Sequence, residues 1–271
     1  MTEFTDFEDK NSTKLSKYTL KSYKTQYSKL TKLLNKNIGD TSEAEIIEMS
    51  KTLDNINSQN AMLNIGIVVK KHLDQPHDEL ILTRDANKTK VKQHVKTKNQ
   101  QKPQLPTYDD LVKMLDNSYE NEYYRNFIIL YLLIEFNVRN QDLNIKFVTL
   151  KKEVIDENIN YIWFDRRGGK IVYFRNVYKT AKSYGRKMHN ITDERFSNAV
   201  KNYIKINQKL IPNEENTGHF VNVATNDLGS GNIYKIMVDY YKEDLQKLKQ
   251  IAENRGTSLD VTAESYDTNN K

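Results

Sequence analysis

The sequence predicts a mainly α-helical protein with a small antiparallel β-sheet, and three features of the chain indicate this fold class. Apolar residues recur at spacings of three and four over residues 15–34, which is the period of an amphipathic helix. Residues 125–138 are apolar almost all round, as expected of a buried central helix. Aromatic and β-branched runs flank Gly168-Gly169, a pattern typical of a β-hairpin.

The first part of the chain, residues 1–82, is predicted to be a small helical domain. After the first amphipathic helix, Ser42 and Glu45 have the spacing of a capping box that opens a second helix. A third helix is predicted over residues 57–73, where apolar residues again dominate.

Residues 83–106 are predicted to be a basic linker, because apolar positions become rare there while lysines accumulate. One interpretation is a solvated flexible tether, and the other is a strap that lies along a phosphate backbone. The linker lysines that we take as candidate DNA contacts are Lys88, Lys90, Lys92, Lys96 and Lys98.

The second domain is predicted to cover residues 107–271. Thr107 with Asp110 three residues later resembles a helix start. Beyond the hairpin, residues 188–191 are predicted to form a third strand. Helical patterning resumes over residues 196–211 and again over residues 234–251.

The composition excludes several kinds of site. The chain has no cysteine, which excludes disulfides, thiolate metal sites and a cysteine nucleophile. Its five histidines have no zinc-site spacing, and no phosphate-binding loop is recognisable, so neither a metal nor a cofactor is predicted. The longest apolar run, residues 127–134, is far shorter than the roughly 20 residues of a membrane span. No membrane role is predicted, and the compartment stays open.

The formal charge of +6 favours a polyanionic partner, although lysine enrichment also accompanies AT-rich genomes, so the clustering of cations is more informative. The segment 166–187 contains eight lysines or arginines and no acid. On strands, alternate residues share a face, where they can neutralise several phosphates. The cations of this segment that we take as DNA contacts are Arg166, Arg167, Lys182, Arg186 and Lys187.

The sequence LLIEFNVRNQDL, residues 132–143, resembles the first signature box of tyrosine recombinases of the phage-integrase type. In that box an apolar helix leads to a catalytic arginine, and an acidic residue follows three positions later. Arg139 and Asp142 match this pattern. The threonine-glycine pair that precedes the arginine in the family is replaced here by Phe136-Asn137 with Val138 following.

Two later segments also resemble the family. The pair Lys179-Thr180 is similar to the Lys-Thr of the family's catalytic hairpin, with Lys182 as the alternative lysine. Residues 256–258, Gly-Thr-Ser, followed by Tyr266, are similar to the closing box, in which glycine-histidine-serine precedes the nucleophilic tyrosine. The spacing agrees, but threonine stands in place of the histidine.

The second box of the family, His-x-x-Arg, is altered in this chain. Depending on register, Lys235 or Tyr234 occupies the arginine position. The histidine position is then Asn232 or Gly231. A lysine lacks the planar fork with which arginine grips two phosphate oxygens, so this change predicts a lower activity.

The resemblance covers nearly the whole chain and implies an α-helical core-binding (SAM-like) domain followed by a tyrosine-recombinase catalytic domain. It implies a site-specific recombinase or integrase that cleaves and rejoins double-stranded DNA through a 3′-phosphotyrosyl intermediate, without cofactor. Tyr266 would be the nucleophile, Arg139 and Lys235 would stabilise charge on the phosphate, and Lys179 would protonate the leaving oxygen. The resemblance also implies self-association on DNA, as a dimer or tetramer, and a viral or mobile-element setting.

Two other functions remain open at this stage. The altered boxes are compatible with a recombinase-fold protein that has lost cleavage and acts as a DNA-binding or architectural factor. A basic RNA-binding protein is the third possibility, although no RNA-binding module is recognisable. Each site residue also has a structural interpretation: Arg139 as a helix-end residue, Lys179 as a solvated cation, and Tyr266 as a packing residue.

Overall fold

The computed structural model describes the backbone of residues 3–100, 104–154 and 156–266, and the side chains of these residues except 88, 89, 92–100 and 263–266. The chain divides into two compact units, Met1–Lys102 and Pro103–Lys271. Both units are mainly helical, and a small sheet lies in the second, which confirms the predicted class of a mainly α protein. Within the described residues, no helix is both long and apolar enough to span a membrane.

The first unit is a helical bundle with its own apolar core. Its helices are α1 (Glu3–Asn11), α2 (Lys17–Leu34), α3 (Glu43–Lys51), α4 (Ile56–His72) and α5 (Asp78–Gln100). The predicted capping box at the start of α3 is confirmed, because the Ser42 side chain accepts from the Glu45 N–H while the Glu45 carboxylate accepts from the Ser42 N–H. Helix α4 contributes most to the core, with Met62 and Leu63 fully buried.

The segment predicted as a basic linker begins inside helix α5, which continues to Gln100. Among its candidate DNA contacts, Lys90 is exposed. The side chains of Lys88, Lys92, Lys96 and Lys98 lie outside the described residues. Their contact with DNA therefore stays a prediction.

The second unit is built around one buried helix. Its helices are α6 (Tyr108–Glu120), α7 (Tyr124–Glu135), α8 (Ala181–Tyr184), α9 (Glu194–Tyr203), α10 (Thr217–Ala224), α11 (Gly229–Tyr240), α12 (Leu245–Arg255) and α13 (Leu259–Tyr266). The predicted central helix is α7, whose residues 127–134 are all buried. Helices α6, α9, α10 and α11 pack around it. Helix α6 begins at a Thr107–Asp110 capping box, as predicted.

The sheet has four strands in the order β1 (Ile145–Val148), β2 (Asn160–Phe164), β3 (Ile171–Arg175) and β4 (Lys187–Ile191). The predicted hairpin is the antiparallel pair β2–β3, and β4 extends it antiparallel to β3. Strand β1, however, is parallel to β2, so the sheet is mixed where an antiparallel sheet was expected. The segment 149–159 carries the chain back to the start of β2, which a hairpin turn cannot do.

Two helical predictions differ in detail from the structure. The run over residues 234–251 is two helices, α11 and α12, because the Asp244 side chain accepts from the Lys247 N–H and starts a new helix. The run over residues 196–211 is helical only to Tyr203. Its remainder returns to the sheet edge, where the Phe147 N–H donates to the Gln208 carbonyl.

Candidate active site

Arg139 follows the buried helix α7 and precedes the short 3₁₀ helix Asn140–Leu143. Asn137 adopts a left-handed backbone conformation, with φ of 48°. Among residues other than glycine, asparagine is one of the few that tolerate this conformation. Asn137 therefore allows the turn that leads the chain out of α7 and into Arg139.

The carboxylate of Asp142 holds this turn against strand β3. One oxygen, Oδ2, accepts from the Arg139 N–H at 2.8 Å and from Nη2 of Arg175 at 2.5 Å. Arg175 and Asp142 are both fully buried. A buried ion pair needs such additional hydrogen bonds to offset the cost of removing both charges from water.

The backbone carbonyl of Asp142 also binds this turn to the sheet. Its carbonyl accepts from the Tyr173 hydroxyl at 3.3 Å and from the Asn160 side-chain amide at 3.0 Å. Asn160 also pairs with both backbone groups of Val177. The turn of residues 137–142, which we call the arginine turn, is thus fixed to β2 and β3 by side chains that are themselves buried.

Four side chains on one face of the last two strands lie beside this turn. In the register of the sheet, Arg175 pairs with Lys187 and Tyr173 pairs with His189. Because alternate residues of a strand share a face, these four form one surface, which we call the inner face of β3 and β4. It combines two cations and an imidazole next to the Asp142 turn.

Lys187 lies between aromatic rings on the inner face. Its ammonium is 5.4 Å from the centre of the Tyr178 ring and 5.9 Å from that of Tyr184, and it donates to the Glu253 carbonyl. Burial, followed by the nearby Arg175 guanidinium, lowers the pKa of Lys187 to about 8, and Arg139 also contributes to this lowering. A lysine with such a pKa can hold or release a proton near neutral pH.

His189 packs between two aromatic residues. Its ring centre is 4.5 Å from that of Phe136 and 5.9 Å from that of Tyr173. Burial first, then Arg175 and Lys187, lower its pKa to about 4. The imidazole is therefore uncharged at neutral pH.

Several buried polar side-chain atoms at this site have no hydrogen-bond partner among the described residues. They are Asn137 Oδ1, Arg139 Nη1, Asn140 Oδ1, Asp142 Oδ1, Arg175 Nε and His189 Nε2. Each such buried group costs about 1–3 kcal/mol when it stays unsatisfied. All six belong to the arginine turn or to the inner face, so the site concentrates groups that favour a polar ligand.

The C-terminus of helix α12 is capped by cations and a hydroxyl from the strands and hairpin. Arg175 Nη1 donates to the Asn254 carbonyl, Lys187 to the Glu253 carbonyl, and the Thr180 hydroxyl to the Gly256 carbonyl at 3.0 Å. Positive charge is favourable at the carbonyl end of a helix. The connection between β3 and β4, which carries Lys179, is thereby attached to the segment that leads to Tyr266.

Arg255 connects the same helix end to the arginine turn. It is buried, donates from Nη1 to the Val138 carbonyl at 2.6 Å, and lies 5.0 Å from the centre of the Tyr234 ring. The Tyr234 hydroxyl is in turn 3.1 Å from the Thr262 hydroxyl on α13. A continuous set of contacts therefore leads from the residue before Arg139 to the helix that ends at Tyr266.

The four predicted catalytic residues differ in how the structure places them. Arg139 lies in the site. Lys179 is exposed on the turn before α8, next to Thr180. Lys235 is buried on α11, which packs against both α7 and α13. Helix α13 ends at Tyr266, whose side chain lies outside the described residues.

The predicted DNA contacts of the hairpin region are exposed. Arg166 and Arg167 lie at the tip between β2 and β3, and Lys182 and Arg186 lie on or beside α8. Arg186 forms an exposed ion pair with Glu157. Lys187, which was predicted with them, is instead partly buried on the inner face.

Sequence reasoning did not single out Arg175, His189 or Arg255. A possible signal for Arg175 is its place at the end of an apolar strand, where a lone cation needs a buried partner. His189 and Arg255 match no motif, and their roles depend on strand register and helix packing. Within the part of the chain that the structure describes, no group of three or more histidine or carboxylate side chains could hold a metal ion.

Comparisons with known proteins give a distant structural likeness. No family model matches the chain, and no curated protein matches it. The alignment with the crystal structure of XerA recombinase covers 99% of this chain and 93% of the XerA chain, at 14% sequence identity and a TM-score of 0.39. A TM-score this low does not show a family relationship.

Proposed function

We propose that this protein cleaves and rejoins double-stranded DNA, with Tyr266 as the nucleophile. The observation that carries the proposal is the concentration of cations and unpartnered buried polar atoms around Arg139, in the unit whose last described helix ends at Tyr266. The order of arginine box, lysine hairpin and terminal tyrosine along the sequence supports the same function.

In the proposed reaction the Tyr266 oxygen attacks a phosphorus atom of the DNA backbone. The tyrosine hydroxyl gives up its proton as the 3′-phosphotyrosyl ester forms. The bond to the 5′-oxygen breaks, and that oxygen takes a proton and leaves as a hydroxyl. The reverse attack by a 5′-hydroxyl restores the DNA backbone and frees the tyrosine. Negative charge grows on the non-bridging oxygens, so fixed cations stabilise the transition state.

Contacts of α13 support a position of Tyr266 near this site. Thr262 on α13 contacts Tyr234, and Tyr234 lies against Arg255, which binds the Val138 carbonyl. Helix α13 ends at Tyr266, so these contacts attach the helix that carries the proposed nucleophile to the arginine turn.

Arg139 and Lys235 are the proposed phosphate-binding cations, and two lysines are candidates for the proton donor. Lys179 agrees with the Lys-Thr pattern, and its exposed position between β3 and β4 allows it to reach DNA. Lys187 has the lowered pKa, and that pKa responds to Arg139. Lys179→Ala and Lys187→Ala should be compared in one cleavage assay. The variant that lacks the proton donor should lose cleavage of DNA, and it should regain cleavage on a substrate whose leaving group needs no proton.

Double-stranded DNA is the proposed partner, held by the exposed cations of the hairpin. Arg166→Ala combined with Arg167→Ala should weaken DNA binding and make the slope of log K against log salt shallower by about 0.9 for each phosphate that these side chains neutralise in the wild type. Lys113→Ala, an exposed lysine on α6, serves as the control and should leave the slope unchanged. Strand exchange between two duplexes also requires several tyrosines, so we propose self-association as a dimer or tetramer on DNA, in a viral or mobile-element setting.

A second candidate function is DNA binding without cleavage. It is favoured by one observation: Arg175 and Lys187 already donate to carbonyls of α12, a structural use of both cations. The replacement of the family's arginine by Lys235 and of its histidine by Thr257 agrees with it.

The deciding experiment is covalent trapping on nicked DNA. The protein first selects its binding site from a random duplex pool, and the site is then rebuilt as a series of substrates whose nick moves along each strand. Wild-type protein should form an adduct that survives denaturation, and Tyr266→Phe and Arg139→Ala should not. Tyr123→Phe, an exposed tyrosine of the same unit, is the control and should form the adduct. DNA binding by all variants without any adduct would establish the second candidate.

A further inference from the structure

We propose that His189 is a catalytic residue, whose uncharged imidazole donates a hydrogen bond from Nε2–H to a non-bridging oxygen of the scissile phosphate. This inference rests on the proposed function, because it assigns another group to the same phosphate. It concerns a residue of strand β4, far in sequence from the arginine and tyrosine boxes.

The position of His189 leaves one ring nitrogen available to a ligand. Nε2 is buried and has no hydrogen-bond partner among the described residues. The ring lies against Phe136, which leads into the arginine turn, and two residues from Lys187 on the same face of β4. An apolar ring would fill this space without leaving a buried polar atom unpaired, so packing alone does not account for the imidazole.

The charges around His189 suit a neutral donor. Arg175 from β3 and Lys187 from β4 disfavour a second proton on the ring, in addition to the effect of burial. The ring therefore carries one N–H at neutral pH and stays a hydrogen-bond donor without becoming a cation. A fixed donor of this kind stabilises charge that develops in the transition state, because it needs no reorganisation during the reaction.

His189 also differs in position from the other described histidine of its unit. His219, the other described histidine of this unit, is exposed on α10. Among the described residues of the unit, His189 is the histidine that lies on the inner face, next to Arg175 and Lys187.

The first test measures the rate of covalent adduct formation on the nicked substrate by wild type, His189→Phe, His189→Gln and the control His219→Phe. We expect His189→Phe to lower the rate by about 10²–10³-fold, the usual effect of removing one transition-state donor. Its urea midpoint should be no lower than that of wild type, because phenylalanine keeps the ring stack and removes an unpaired polar atom, and its DNA affinity should fall by much less than its rate. His189→Gln, which retains an N–H donor, should recover part of the rate, and His219→Phe should match wild type. Cleavage by His189→Phe at the wild-type rate would overturn the assignment.

The second test is independent of cleavage. Imidazole nitrogen NMR on the full chain, with the His189 signals assigned from the His189→Gln spectrum, reports which ring nitrogen carries the proton. We expect the Nε2–H form, and a shift of the Nε2 signal when the selected DNA duplex is added. If wild type forms no adduct but this shift occurs, the cleavage proposal fails and the phosphate contact stands. The Nδ1–H form, or an Nε2 signal that DNA leaves unchanged, would refute the role of His189 whether or not cleavage is seen.

Discussion

Replacing Arg175 by methionine tests whether the buried ion pair with Asp142 holds the site together. Both side chains are fully buried, and Arg175 is the donor that neutralises the Asp142 carboxylate. Methionine is an unbranched apolar residue whose volume is close to that of arginine, so the variant removes the charge with little loss of volume. Removing one partner of a buried pair costs about 3–5 kcal/mol, since the other charge stays buried without compensation.

This magnitude can be measured without a separate label. The single tryptophan of the chain, Trp163, is on β2 of the same unit, so its fluorescence during urea unfolding reports on that unit. For a unit of this size each kcal/mol corresponds to about 2–4 °C, which predicts a fall in melting temperature of roughly 6–20 °C. Arg195→Met is the matched control: it removes an exposed ion pair with Asp116, which is worth less than about 1 kcal/mol.

A double-mutant cycle separates the pair from the individual side chains. Arg175→Met combined with Asp142→Asn should cost less than the sum of the two single variants, because the second change removes the charge that the first leaves unpaired. The reasoning is refuted if Arg175→Met costs no more than Arg195→Met. It is also refuted if the two changes prove additive, since the two groups would then be energetically independent.

Three further predictions concern the same unit. Gly256→Ala should cost about 1–3 kcal/mol more than Gly169→Ala: both residues have positive φ, but a Cβ at Gly256 would collide with the Thr180 hydroxyl, and one at Gly169 meets nothing within 4 Å. Tryptophan fluorescence during urea unfolding measures both variants, and Gly256→Ala with Thr180→Ala should recover part of the stability. The free energy of unfolding should fall as the pH drops from 6.5 toward 4, because the unfolded chain takes up a proton on His189 at its ordinary pKa while the folded protein holds that pKa at about 4. Urea titrations of His189→Phe should show a weaker pH dependence of this free energy over the same interval. An unchanged pH dependence would contradict the lowered pKa of His189. If Lys187 is the proton donor, the rate of adduct formation should fall as the pH rises through about 8, and Lys187→Ala should lose this limb of the profile.

Local patterns in the sequence were sufficient to predict most of the helices and strands. The capping box at Ser42 and the helix start at Thr107 depend on residues three positions apart, and the structure confirms both. The hairpin around Gly169 is also a local feature, since that glycine has the positive φ that its turn requires. Strand β1 was missed because it has only four residues and its alternation of buried and exposed positions stops after the third.

The site was only partly predictable, for a physical reason. Arg139 and Asp142 are three residues apart, so a sequence pattern records them together. Arg175, Lys187 and His189 reach them only through strand register and through the way the sheet packs on the arginine turn. No local pattern encodes which face of a strand is turned toward a distant loop. Arg175 and Lys187 therefore looked like ordinary members of the basic segment 166–187, and His189 matched no motif.

The two cations of the inner face differ in what they can do for a phosphate. Arg175 is fully buried, and its two terminal nitrogens donate to Asp142 and to the Asn254 carbonyl. Any phosphate would have to displace an ion pair that fixes the arginine turn. Lys187 is less buried and donates to one carbonyl of α12, that of Glu253. Exchanging one carbonyl for a phosphate oxygen costs little, because a charged oxygen is the stronger acceptor for an ammonium. Substitutions of Arg175 should therefore impair stability and cleavage together, whereas substitutions of Lys187 should impair cleavage with little effect on stability.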